Sequence, residues 1–166
     1  MMRYPDAPNH IAEGKFVFGK KVSEYIRFQS WVLILIIIVW AVRLGLSMSG
    51  TSFTSVRWVS VNLVLLVGLI YASVAVHTSG FGSYKQLLGL LFFQVALAEF
   101  LIAVAIVLGI VTGVPNAFTA PEVSGGGNGA TWVHVLAHVA VAFILPLVGW
   151  LFGSLILFVT KRVKPA

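Results

Sequence analysis

Five side chains in this sequence combine reactive chemistry with an apolar setting: Arg43, Asn62, Glu99, His134 and His138. An ionisable group at the centre of a bilayer costs about 2.5–3.5 kcal/mol on insertion scales, so such groups mark function or helix register. Counting about 1.5 Å of rise per residue, Arg43 lies about 24 Å above Arg27, Glu99 about 21 Å above Lys85 and Asn62 about 23 Å above His77. Those three share a common depth, and with His138 from the last run they are expected to form an intramembrane polar cluster, with Arg43 and Glu99 as a buried ion pair and Asn62 as its hydrogen-bonding neighbour. A carboxylate left alone in hydrocarbon takes up a proton instead of staying charged. Such a cluster serves either as a clasp between helices or as a proton or quinone site.

His134 and His138 stand at i and i+4, so on a helix both imidazoles leave one face. Zinc-protease chemistry needs H-E-x-x-H with the glutamate as base; here the run is H-V-L-A-H, which lacks it. A metal site of both histidines and a carboxylate such as Glu122 has sound spacing for two ligands but nothing that fixes a third. Haem iron takes axial ligands on opposite faces of the ring, so one partner would have to come from another helix. His77 sits at the wrong end to be that partner. The plainest expectation is interfacial histidines bonded to loop carbonyls or to the Arg43–Glu99 group. With no cysteine, disulfides, thiolate metal sites and cysteine nucleophiles are excluded.

The elements that hold these residues follow from composition. The chain has 166 residues, of which 59% are hydrophobic and 10% charged, against about 25% charged in soluble domains. An ordinary soluble enzyme, a disordered protein and a stapled secreted module are thereby excluded. Four apolar runs, at about 31–49, 56–76, 87–113 and 132–159, each reach the ~20 residues a helix needs to cross ~30 Å of hydrocarbon. They lack the alternation of barrel strands. The fold class expected is all-α, an integral membrane four-helix bundle running up-down-up-down, with 31–159 as the transmembrane domain.

Charge sets the orientation. Arg3, Lys15, Lys20, Lys21, Arg27, Lys85, Lys161, Arg162 and Lys164 fall on one side, and Arg57 on the other. The positive-inside rule then puts both termini in the cytoplasm of a multi-pass cell (inner) membrane protein, with Tyr25, Trp31 and Tyr84 near the inner boundary and Trp58 and Trp132 near the outer one. The net charge of +6 therefore speaks for the lipid bilayer as partner and against nucleic acid. Residues 1–30 read as a polar and basic cytoplasmic segment without a signal peptide's apolar core. Its stretch 16–28 suits either an interfacial segment, with Ser23 as a helix cap, or a loose orienting tail. Residues 160–166 read as a basic tail, and His77 with the glycine-containing turn after it as a tight connector.

The outer connection, 114–131, contains SGGGNG and reads as a slack tether. Small residues at four-residue spacing (Ala41, Gly45, Ser49; Gly68, Ala72; Ala105, Gly109, Gly113; Gly149, Gly153) permit close helix approach. Pro146 predicts a kink in the last helix near Ala142.

From Gln94 through Ala142 the pattern resembles one four-helix half of the haem A synthase family: Gln94-Val95, then Gly109-Ile110-Val111-Thr112-Gly113, a proline-containing loop and a histidine opening the last helix. The resemblance covers under half of the chain. It implies an outer-side haem b with His134 or His138 as one ligand. The partner ligand it implies near the outer end of the second helix has no histidine here, where Trp58, Ser60 and Asn62 stand, and the loop GTSFTS lacks that family's acidic residue. Function is expected to be that of a non-catalytic accessory or structural component, with a membrane-protein partner or a second copy of itself. The alternative is electron transfer with haem b or quinone in the outer-half cluster.

Overall fold

The computed structural model describes residues 16–164, so expectations for 1–15, including His10, lie outside the described residues. A short antiparallel hairpin, β1 (Phe16–Val17) and β2 (Lys20–Lys21), leads into α1 (Val22–Phe28) and α2 (Ser30–Met48). A single-turn helix, α3 (Phe53–Val56), precedes α4 (Val61–Thr78), followed by α5 (Tyr84–Thr112) and α6 (Trp132–Val163). Four segments are long and apolar enough to cross a membrane: Ser30–Met48, the stretch 53–78, Tyr84–Thr112 and Trp132–Val163.

Local capping chemistry explains where the helices depart from the apolar runs. Ser23 does not cap α1. The Lys21 backbone N–H donates to the Glu24 carboxylate at 2.7 Å and moves the cap two residues earlier, to Lys21. That bond holds Glu24 below the usual carboxylate range, with the charge of Lys20 adding to it. The second long helix begins at Val61, five residues later than hydropathy suggests, because the Ser60 hydroxyl accepts the Leu63 N–H as an N-cap. The third begins at Tyr84, where Gln86 reaches back to the Ser83 N–H at 3.0 Å. The last runs on to Val163, with Lys161 and Arg162 in its final turn complementing the carbonyl end of the helix dipole. It stays helical through Pro146.

The outward faces are as apolar as the core. Ile34, Ile38, Leu63, Leu66, Phe143, Leu147 and Leu151 are each more than half exposed. Water would not tolerate a belt of that kind, whereas lipid is its natural solvent. Helix α5 is the centre: it packs on α2, α4 and α6, and also on α1. Its glycines and small residues let neighbours in. A Cβ at Gly89 would lie 2.7 Å from the Tyr25 ring, and one at Gly68 on α4 would lie 2.5 Å from Gln94. Gly153 on α6 meets Ser73 in the same way. Gly45, by contrast, has open space around it, and the small-residue stripe on α2 to which it belongs is exposed among the described residues.

One end of the bundle is tied by long-range contacts. Lys161 Nζ donates to Ser83 Oγ at 2.7 Å, Trp150 Nε1 to the Tyr84 carbonyl at 2.8 Å and Gln86 to the Phe18 carbonyl at 2.9 Å. His77 Nε2 meets the Lys164 carbonyl at 3.0 Å at this same end. At the other end the connection between α5 and α6 is partly packed and not the slack tether its composition suggests. Asn116, Ala117, Phe118 and Thr119 are buried, and Asn116 donates to the Ala105 carbonyl at 2.8 Å.

Candidate functional site

Each of the four long helices contributes one polar residue to a single cavity of about 420 Å³, lined by Arg43 (α2), Asn62 (α4), Glu99 (α5) and His138 (α6) together with Ile102, Phe118, Val123 and Leu145. Arg43 is 9% exposed and Glu99 5%. Asn62 occupies the first turn of α4 and is exposed.

The expected Arg43–Glu99 ion pair is not present. Glu99 is bonded by His138 Nδ1, and the other ion pair among the described residues is Lys20–Glu24. Arg43 makes one long hydrogen bond, Nη1 to the Val59 carbonyl at 3.5 Å, and its guanidinium lies 5.0 Å from the centre of the Phe118 ring. Its Nε is buried without a partner among the described residues. Depth brought these groups to one level, but the closest neighbour of α5 is α6, so the histidine takes the carboxylate. Asn62 consequently has no ion pair to support and stands on the cavity wall.

His134 opens α6. Its backbone N–H donates to the Thr131 hydroxyl at 3.2 Å, and its Nδ1–H donates to the Gly129 carbonyl at 2.9 Å. His134 Nε2 and His138 Nε2 face each other at 3.2 Å. The ring nitrogens therefore form one continuous line from the loop carbonyl to the carboxylate. Among the described residues no group of three or more His, Asp or Glu gathers in a way that could hold a metal ion, and Glu122 lies apart, in a depression with Asn116 and Asn128.

The donor set does not fit a haem. His134 and His138 leave one face of one helix, so they cannot take opposite faces of a single haem, and the first turns of α4 offer no histidine to complete the pair. His77, bonded to the Lys164 carbonyl, is at the far end of α4.

The chain matches no family model, no curated protein and no solved structure. Its site must speak through its own geometry.

Beside the polar cavity lies an apolar groove of about 290 Å³, lined mainly by Leu65, Leu66, Leu69, Leu91, Val95, Pro146 and Gly149. Asn62 and Leu145 line both spaces, so the two adjoin. Gln94 touches this groove and donates to the Gln29 side chain at 2.8 Å, a fully buried link from α5 to the residue between α1 and α2. Sequence reading took Gln94 only as part of a family pattern. A glutamine in mid-span was the available signal, since a buried amide must find a partner. Phe118 was missed altogether. Its cue was the run Asn116–Thr119, where the Asn116 side chain accepts the Phe118 N–H at 2.9 Å and turns the loop inward over Arg43.

Proposed function

We propose that this chain is a multi-pass protein of the cell (inner) membrane, its spanning helices running alternately up and down with both termini cytoplasmic, and that it serves as a non-catalytic accessory component binding an isoprenoid quinone in its outer half. The orientation is supported by charge: Arg57 is the one Lys or Arg in the connections 49–60 and 113–131, whereas Lys20, Lys85, Lys161 and Lys164 belong to segments joined at the opposite end.

The observation that carries the ligand reading is the state of Arg43. A buried guanidinium with five donors makes one 3.5 Å bond, has an orphaned Nε and lines a cavity. Leaving buried charged donors unmet is costly, so an acceptor in the cavity relieves that cost. A quinone head supplies carbonyl oxygens, is uncharged enough to travel within the bilayer and is of a size for a cavity of about 420 Å³. The adjoining leucine-rich groove suits the first part of an isoprenoid tail.

The test is titration of the purified protein in nanodiscs with decylubiquinone, read by quenching of tryptophan fluorescence. A hydrogen bond to a charged group contributes about 1.5–3 kcal/mol, so Arg43→Gln is expected to weaken binding by about 10- to 100-fold. Wild-type affinity in Arg43→Gln, or no saturable quenching by the wild type, overturns the reading. A second reading, a ligand-free clasp that sets helix register, draws on the Glu99–His138 and Gln29–Gln94 links. It predicts the absence of quenching in the same experiment.

A further inference from the structure

The line of ring nitrogens at the start of α6 has an electrostatic consequence separate from the cavity's occupant. A backbone carbonyl only accepts, so its 2.9 Å contact with the Gly129 oxygen places a proton on His134 Nδ1. His134 Nε2 of a neutral ring then carries a lone pair. The Glu99 carboxylate favours a proton on His138 Nδ1 in the same way, which leaves a second lone pair on His138 Nε2. The two Nε2 atoms stand 3.2 Å apart, a separation that either a shared proton or a metal ion set to one side of the N–N line bridges.

We infer that His134 Nε2 and His138 Nε2 form a two-nitrogen seat for a borderline divalent cation, Zn²⁺ or Cu²⁺, with Glu99 and the Gly129 carbonyl as positioning partners. Three observations support it. Metal-bound imidazoles characteristically donate their other N–H to a carboxylate or a backbone carbonyl, and this pair shows one of each. For metal–nitrogen bonds of about 2.0–2.1 Å, two ligand nitrogens stand about 2.9 Å apart at a right angle and about 3.3 Å apart at the tetrahedral angle; the observed 3.2 Å lies within that range. Imidazole is also the ligand type for which zinc and copper compete best. Helical i,i+4 spacing supplies the chelate, and water or an outside ligand completes the shell, since the described residues provide no third His, Asp or Glu there.

The seat does not rest on the quinone reading: its ligands are His134 and His138, whereas that reading rests on Arg43, although His138 and Glu99 also line the cavity. The experiment uses the full chain in nanodiscs, purified with a histidine-free tag and stripped with chelator. Zn²⁺ is titrated calorimetrically, and Cu²⁺ is followed by electron paramagnetic resonance. Expected are one ion per chain and a Cu²⁺ spectrum with coupling to two imidazole nitrogens. That event is lost in His134→Ala and in His138→Ala, and unchanged in His77→Ala. Glu99→Gln is expected to weaken it by about 10- to 100-fold. Absence of saturable binding, a Cu²⁺ spectrum without nitrogen coupling, or unchanged binding in His134→Ala or His138→Ala overturns the seat. The spectrum of the wild type decides the matter even where a variant fails to fold.

Discussion

His138 on α6, and not Arg43 on α2, holds the carboxylate of Glu99 on α5. This one relationship decides which helices are tied together by charge. It leaves Arg43 as an under-bonded cation on the opposite part of the cavity wall, against Phe118 and the Val59 carbonyl. The α5–α6 interface thus carries a polar tie, while the α2 wall keeps donors in reserve.

A double-mutant cycle separates the two pairings. Interhelical polar contacts in membranes average about 0.6 kcal/mol and reach about 1.7 kcal/mol. Glu99→Gln and His138→Ala are each expected to lower stability by an amount in that range, with a coupling energy clearly above zero. Glu99→Gln combined with Arg43→Gln is expected to show a smaller coupling energy than the Glu99–His138 cycle, because Arg43 and Glu99 share a cavity but no bond. Steric-trap unfolding in bicelles measures both, and strong Glu99–Arg43 coupling would contradict the pairing seen here.

Gly129 presents His134 with its carbonyl and passes close to the loop. A Cβ there would lie 2.6 Å from the Thr119 carbonyl oxygen and 2.8 Å from its Cα, all backbone that has nowhere to go. Gly129→Ala is expected to cost about 1–3 kcal/mol, the usual range for overpacking. Gly127, with nothing within 4 Å of its Cβ position, serves as the control. Gly127→Ala should stay within about 0.5 kcal/mol of the parent. Thermal unfolding of the two variants side by side checks the contrast; equal effects would show that the Thr119 approach is not rigid.

Acid should loosen the start of α1. Glu24 is held below the usual carboxylate range chiefly by the Lys21 N–H, with the charge of Lys20 adding to it and desolvation opposing both. A carboxylate with a lowered folded-state value stabilises fully above its unfolded value and loses that contribution as pH falls through the lowered one. Protection of the Lys21 amide from hydrogen exchange, corrected for intrinsic rates, is expected to drop only under acid conditions below the ordinary carboxylate range. In Glu24→Gln that acid-dependent change should vanish. A profile identical in the variant would assign the effect to another group.

Much of the architecture was legible from residue order. Lipid cannot satisfy exposed backbone polar groups, so an apolar run of about 20 residues has to be a helix whatever its neighbours do. The ends were less legible, because side-chain caps decide them. Ser60 delays α4 to Val61, Gln86 with Ser83 advances α5 to Tyr84, and Glu24 with Lys21 moves the cap of α1 off Ser23. The connection between α5 and α6 was misleading for the same reason. Its glycines suggest slack, yet Asn116 and Thr119 fold the preceding residues into a buried turn that sets Phe118 over Arg43.

Residue order alone set Arg43, Asn62 and Glu99 at one level along their helices, since helical rise is constant along every span. Together with His138 they line one cavity. Only the tertiary structure decided who bonds whom: the choice of His138 over Arg43 for Glu99, the Gln29–Gln94 link and the facing of His134 on His138. Depth is a property of one helix. Rotation about its axis and the identity of its neighbour arise from packing among all of them, which no single apolar run encodes.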